Sequence, residues 1–458
     1  MTIVRSAVLL SMAEYVGLGL ALGEAMMLSR ALGSDGIGQF SLVRQTLLFA
    51  SQIASLGLPM TMIYAINARK RDPSRTVMTT LYACLLMSLL SGAVLWGLFI
   101  LKRGFFGDMP TWTILACMAY VPVILLRQCF HQLNMAWMRA IPMMLTRILP
   151  DVCYLGVVAG LFFLARGWMR VELMIALPIL VAVLGAVIAY GSVGRRVSLG
   201  ARADWGFLRL GLPIGLQIVA MDMLTIANTY VAMTVLKAFR DFSEVGYFSR
   251  AAQVGMLVST AGVGFYTLLY SRWAGLKGER QRLHVERTLG LTTAAAVLGC
   301  GAILLLAHYV VLFLYGRAFL PSVLPTRLLV GGSIFFLVTR ILQMFFTADG
   351  KPFYSIATLC ISALVNAGLC LWWVPTHGPN GAALAGLIAC MAGGIAAIAI
   401  GCTRYNLRLL AILVPTRETV RLAMRSLLSR TPTPPPEKVQ EVLESKLCDP
   451  QSDEIMNA

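Results

Sequence analysis

The sequence predicts an all-α, polytopic membrane protein, and three observations point there: composition, the length of the apolar runs, and the placement of charge. Of 458 residues, 58% are hydrophobic and only 13% charged, with a mean hydropathy of +0.77. A soluble globular chain is about 45–50% apolar and about 25% charged. The apolar residues come in long runs, whereas a membrane β-barrel would show alternating segments of about 10 residues. Much of the net charge of +17 sits in short connections between the runs. That placement fits orientation in a bilayer, not a groove for nucleic acid.

A helix needs about 20 mostly apolar residues to cross the hydrocarbon core. Such runs lie at 6–28, 36–65, 77–101, 112–133, 143–165, 171–193, 207–236, 242–271, 288–314, 324–348, 353–374 and 380–403, which makes about 12 transmembrane helices. Pro59, Pro122, Pro150 and Pro178 fall inside them, as membrane helices tolerate. With the N-terminus in the cytoplasm, the inner connections gather Arg69, Lys70, Arg71 and Arg75, then Arg195, Arg196, Arg202 and Arg209, then Arg272, Lys277, Arg280, Arg282 and Arg287. The outer connections are short and hold fewer cations, so both termini are expected to be cytoplasmic. Glu14 and Glu24 in the first run argue against a cleaved signal peptide. The 10 cysteines are scattered without a CxxC. They read as small buried hydrophobes, and support neither a disulfide framework nor a metal site.

The chain repeats itself. Gly38-Gln39-Phe40-Ser41-Leu42-Val43-Arg44-Gln45 aligns with Gly246-Tyr247-Phe248-Ser249-Arg250-Ala251-Ala252-Gln253 as G-x-F-S-x-x-x-Q, 208 residues apart. The same offset carries Glu14 onto Asp222 and the basic connection at Lys70 onto the one at Gly278. Six helices per half give parallel repeats about an axis along the membrane normal, the plan of transporters whose halves rock about a central site. The expected units are an N-terminal lobe at 1–203, a C-terminal lobe at 204–405 and a cytoplasmic tail at 406–458. Within the tail, Val420, Met424, Leu427 and Leu428 form one stripe flanked by Arg417, Arg421 and Arg425. This is either a helix on the anionic inner leaflet or a solvated basic linker. A proline-rich spacer (431–436) and an acidic, weakly ordered end follow.

A charge inside the bilayer is costly, so each is a candidate for function. Glu14 shares a helix face with Ala7, Ser11, Gly17 and Ala21; Asp222 shares one with Gly215, Val219, Thr225 and Thr229. Either acid suits ion coupling by H+ or Na+, or a salt bridge to a neighbouring helix. The intramembrane cations are Arg44, Arg250, Arg127, Arg147 and Arg340. Arginine stays charged and offers a planar fork of donors that matches phosphate. Arg127, Arg147 and Arg340 lie nearer the cytoplasmic ends, where snorkelling is the competing reading, and Arg147 can neutralise Asp151 at i, i+4. Gln45, Gln253, Asn228 and Asn366 fit sugar hydroxyls or bridges between helices. His308, in a predicted span, is the one histidine with a conceivable proton-handling role. There is no phosphate-binding loop motif and no metal-spaced histidine cluster, so no catalytic residue, cofactor or metal is assigned.

The stretch Asn366-Ala-Gly-Leu-Cys-Leu-Trp-Trp-Val-Pro375-Thr-His-Gly378-Pro-Asn-Gly381-Ala382-Ala383-Leu-Ala385 resembles the eleventh-to-twelfth helix signature of Wzx-type polysaccharide flippases. Arg30-Ala-Leu-Gly33-Ser-Asp-Gly36 is similar to that family's first loop. Val245-Gly246-Tyr247 and Leu314-Tyr315-Gly316-Arg317-Ala-Phe319 are similar to later family segments. The resemblance spans residues 1 to about 405 and excludes the tail. It implies the multidrug/oligosaccharidyl-lipid/polysaccharide exporter superfamily, with two six-helix lobes forming a V around a central cavity. It also implies flipping of undecaprenyl-pyrophosphate-linked oligosaccharide across the bacterial inner membrane, beside a glycan polymerase and a chain-length regulator. On that reading the arginines, with Gln45 and Gln253, bind pyrophosphate and sugar. A multidrug exporter of the same superfamily is the alternative; it favours an acidic cavity. A membrane glycan polymerase or ligase would be expected to carry a large outer loop. A non-enzymatic assembly scaffold would tolerate cavity mutations.

Overall fold

A computed structural model describes residues 3–67, 69–137, 139–193, 196–198, 200–260, 273 and 278–409. The tail beyond residue 409, the second part of the eighth predicted run, and Arg195, Arg272 and Lys277 lie outside the described residues. Among those described there is no strand. The long helices are α1 (Ile3–Ser55), α2 (Leu58–Asn67), α3 (Pro73–Leu101), α5 (Thr111–Ala136), α6 (Ala140–Leu164) and α7 (Val171–Val193), with a single turn, α4 (Arg103–Phe106), between α3 and α5. There follow α8 (Trp205–Phe239), α9 (Phe242–Thr260), α10 (Gly278–Tyr315), α11 (Val323–Ala348) and α12 (Pro352–Tyr405).

Two helices are far too long for one crossing. α1 has 53 residues and α12 has 54, against about 20 for a bilayer. Each contains one glycine outside the helical region, Gly33 (φ 67°) and Gly378 (φ 54°), a conformation that costs a residue with a Cβ. The chain doubles back at both points. Glu24 on the first arm of α1 reaches Arg44 on the second at 3.1 Å, and Gly393 of α12 packs on Ser362 of its own first arm. The twelve predicted runs are thus helical over most of their described residues, six before residue 200 and six after it. The second crossing is interrupted at Leu56 (φ 48°) and Gly57 (φ 66°). Pro59 therefore sits in the first turn of α2, where no N–H is needed. Leu85, Leu86, Leu89, Leu90 and Val94 of α3 are all exposed. A row this apolar facing water would be an aggregation liability; facing acyl chains it is the expected surface of a multi-pass membrane protein.

α3 starts on Asp72, whose carboxylate accepts from the Ser74 N–H at 3.3 Å. α8 starts on Asp204, which accepts from the Phe207 N–H at 3.2 Å and also ion-pairs with Arg71. Burial pushes the Asp204 carboxyl up, but the Arg71 hydrogen bond and charge, with the Phe207 and Gly206 N–H groups, outweigh it and leave it below the usual carboxylate range.

In the first half α5 packs on α7, α6 on α1 and α3 on α5; in the second α12 packs on α11 and α8. The main contact between halves joins α1 to α9. A second lies where Gly57 abuts Gly215 of α8, backbone on backbone, and between the two Phe49 stacks on Tyr230 with centroids 4.7 Å apart. The halves therefore touch at both ends of the second crossing in this conformation.

Candidate functional site

The intramembrane charges converge on the first half. Phe40, Arg44 and Leu47 follow i, i+4, i+7 spacing on the second arm of α1, as Tyr120, Ile124 and Arg127 do on α5, so each set shares a face. With Glu24 of the first arm, Asp151 and Tyr154 of α6, and Ile175, Pro178, Val181 and Ala182 of α7, they enclose a cavity of about 160 Å³. At about 30 Å³ per water it has room for a few waters, not for a sugar chain.

Glu24, Arg44 and Arg127 are each placed by a neighbour. Arg44 donates to Glu24 Oε1 at 3.1 Å; the carboxylate is buried while the arginine side chain is 53% exposed, and its guanidinium lies 5.8 Å from the Phe40 ring centroid. Arg127 donates to the Thr146 carbonyl at 3.0 Å, and its stem lies against Gly185 of α7, where a Cβ would come within 2.8 Å. The Thr146 hydroxyl in turn meets His131 Nδ1 at 3.0 Å. Asp151 faces the same space with no ion pair within 4.0 Å among the described residues.

Arg250 on α9 comes to this wall from the second half, within electrostatic reach of Glu24, Arg44 and Tyr154. It is only 6% exposed. Its Nη1 donates to Gln253 Oε1 at 2.6 Å, and the guanidinium stands 5.6 Å from the Tyr315 ring centroid. Nε and Nη2 have no partner among the described residues. Burying a cation without a carboxylate is expensive, which makes Arg250 the sharpest feature of the site.

The other sequence candidates scatter. Arg147 pairs with Glu14 at 2.5 Å and not with Asp151 as its i, i+4 spacing suggested. The reason is that α6 runs along the first arm of α1 and brings that carboxylate to it. Arg340 lies over Phe336 at 5.8 Å and acts electrostatically on Asp222, in the second half and away from the cavity. Of the five arginines, then, Arg44 and Arg127 line the cavity and Arg250 adjoins it; Arg147 and Arg340 do not line it. Gln253 is engaged by Arg250, and Gln45 is partly buried beside Arg44. Asn366 donates to the Asn228 carbonyl at 2.6 Å and Asn228 to Ser362 at 3.3 Å, so this pair bridges α12 to α8. Sequence reasoning passed over Glu24, Tyr120, Tyr154 and Tyr315 as site residues. Glu24 left a signal: it and Arg44 lie 9 and 11 residues either side of Gly33, the spacing of partners across a hairpin.

A family model described as polysaccharide biosynthesis protein matches residues 3–270, more than half of the chain and all of this site except Tyr315. The chain belongs to the polysaccharide biosynthesis protein family. Among solved structures, this family member is similar to the lipid II flippase MurJ in an inward closed conformation. The TM-score is 0.74 at 15% identity, covering 93% of this chain and 94% of that one. It is also similar to an inward-facing multidrug resistance MATE transporter of the MOP superfamily (TM-score 0.67, 16% identity, 84% and 94% covered). A third similarity is to a MOP superfamily transporter from Pyrococcus furiosus (TM-score 0.58, 17% identity, 88% and 96% covered). At these identities the likeness establishes the fold. No curated protein sequence matches the chain.

Proposed function

We propose that this protein flips a polyprenyl-pyrophosphate-linked oligosaccharide across a bacterial inner membrane by alternating access, with both termini in the cytoplasm. The lobes would be residues 1–203 and 204–405, with 406–458 as the tail. The observation that carries this reading is Arg250, a buried guanidinium beside the Arg44–Glu24 pair with two donors that have no partner among the described residues. A pyrophosphate offers the negative charge and the acceptors such a fork lacks. In the present conformation the cavity is too small for cargo, so binding requires the halves to separate. Arg44 is then the second cation, exchanging Glu24 for phosphate. Membrane lipids surround the exposed leucine rows, and a glycan polymerase and chain-length regulator are the partners this activity needs.

For coupling to H+ or Na+, Asp222 is a better candidate than Glu14, which Arg147 already holds at 2.5 Å. A drug exporter is the second reading, and Glu24 and Asp151 in the cavity wall speak for it. Each of those acids shares the wall with an arginine, though, while Arg250 has no ion pair within 4.0 Å among the described residues, so the balance favours an anion.

The test is transport of a fluorescent polyprenyl-pyrophosphate oligosaccharide by protein in liposomes. Arg250→Ala should lower the rate by at least about tenfold, or 1.4 kcal/mol in barrier. Equal rates at equal protein would rule out the anionic-cargo reading. Transport that ignores imposed proton and sodium gradients, and is unchanged by Asp222→Asn, would rule out the coupling role.

A further inference from the structure

The repeated G-x-F-S-x-x-x-Q motif has no place in the cargo chemistry beyond its glutamines, yet its Gly, Ser and Gln fall at i, i+3 and i+7, one face of a helix. In the folded chain the two copies meet. A Cβ on Gly38 would strike the carbonyl oxygen of Phe242, and a Cβ on Gly246 would strike that of Ser34. Positions 34 and 242 are themselves 208 apart, so each copy makes the same contact on the other. Ser41 Oγ donates to Ser249 Oγ at 3.1 Å across the same offset. This is an isologous contact within one chain, of the kind a two-fold axis generates between subunits.

The contact lies towards the Gly33 hairpin of α1, and a third tie spans the halves there: Arg30 donates to the Phe313 carbonyl in the last turn of α10 at 2.7 Å, where a cation is favourable. Further along the stripe come Gln45 and Gln253, and Gln253 holds Arg250. One helix face thus runs from a sealed end to the cationic site.

We propose that the repeated motif is the outer gate, a self-complementary seam that must part for cargo to leave on the Gly33 side. It seals by close backbone fit of small residues and the Ser41–Ser249 hydroxyl bond, set among buried apolar side chains of both copies such as Ile37, Phe40, Val245 and Phe248. A seam of that kind excludes solutes when shut. Glycine at 38 and 246 is required because any side chain there meets main-chain atoms, which cannot swing aside. The direction of passage rests on the flippase reading; the seam itself does not.

The test is Ser41→Cys/Ser249→Cys in membranes, with a protease site introduced between α7 and α8 to report the link. Copper phenanthroline should join the two halves, and transport should fall by at least about tenfold and return with dithiothreitol; each single variant should transport throughout. A linked protein that still transports at the reduced rate would overturn the gate, as would failure of both copper phenanthroline and a short bismaleimide to join two cysteines that each label singly. A cargo-free readout separates this from the flippase reading: impermeant maleimide should label Tyr230→Cys from the Gly33 side in unlinked protein and not in linked protein. Labelling indifferent to the link sinks the gate. Labelling that obeys the link, in a protein on which glycan export never depended, leaves the gate standing and removes the flippase. Because the double variant could misfold, Gly246→Ala serves as a second probe. It should wedge the seam and raise labelling of Tyr230→Cys from the Gly33 side, and unchanged labelling would count against the gate.

Discussion

Arg44 and Arg250 sit two positions apart in register on corresponding helices of an internal repeat, and their surroundings have diverged. Arg44 is half exposed and neutralised by Glu24 at 3.1 Å; the residue at the matching offset from Glu24 is Ala232, so the second half has no equivalent acid there. Arg250 is buried against Tyr315 and held by a neutral amide. One arginine is part of a balanced pair, and the other has no ion pair within 4.0 Å among the described residues. The repeat delivered a cation to each half, and the neighbouring helices then decided what each could do.

The contrast is most exposed to test by truncating both arginines. Arg250→Ala should lose transport most and yet melt no earlier than wild type in detergent, because it removes a buried charge with no ion pair among the described residues. Arg44→Ala should lose less transport and cost about 1–3 kcal/mol of stability, since it leaves Glu24 buried without its hydrogen bond. If Arg250→Ala is the more destabilised of the two, the cation is structural and the distinction between them is lost. Next in size, Glu24→Gln/Arg44→Ala should recover a good part of the stability lost by Arg44→Ala, as a double-mutant cycle with the two single variants would measure. Strict additivity would mean that the pair does not couple. Gln253→Ala should be milder, leaving stability near wild type while weakening cargo affinity several-fold, roughly 1 kcal/mol, because Arg250 loses the acceptor that orients it. An unchanged affinity would mean that the Tyr315 ring alone positions the guanidinium.

The smallest effect lies outside the membrane. Asp204 titrates below the ordinary carboxylate range in the folded protein. Its bridge to Arg71 and its cap on α8 therefore contribute fully above the unfolded value of about 4. That contribution is lost as pH falls through the lower folded value. Asp204→Asn should flatten the acid limb of the melting curve below about pH 4 and leave neutral-pH transport intact. An identical acid limb would show that the bridge does not reach the folding equilibrium.

The motifs that suggested a family were legible for reasons that only the fold explains. Gly33 and Gly378 mark the hairpins of α1 and α12, and Gly38 and Gly246 mark the seam between halves. Asn366 reaches across to the main chain of α8 at Asn228. Glu14 and Asp222 each answer to an arginine later in their own half, Arg147 and Arg340. Helical spacing placed each of these residues on a face without saying which helix that face would meet. For that reason the Arg147–Asp151 pair read from local spacing gave way to Arg147–Glu14.

What the sequence determined by itself was the solvent and the repeat. Runs of about 20 apolar residues have one stable home, a bilayer, and two copies of one motif imply two halves built alike. What only the tertiary structure decided was the partnership of the charges. A buried arginine becomes a neutral pair or an unpaired cation according to the carboxylates that packing brings within a few ångströms. Those come from helices distant in sequence, beyond the reach of any local pattern.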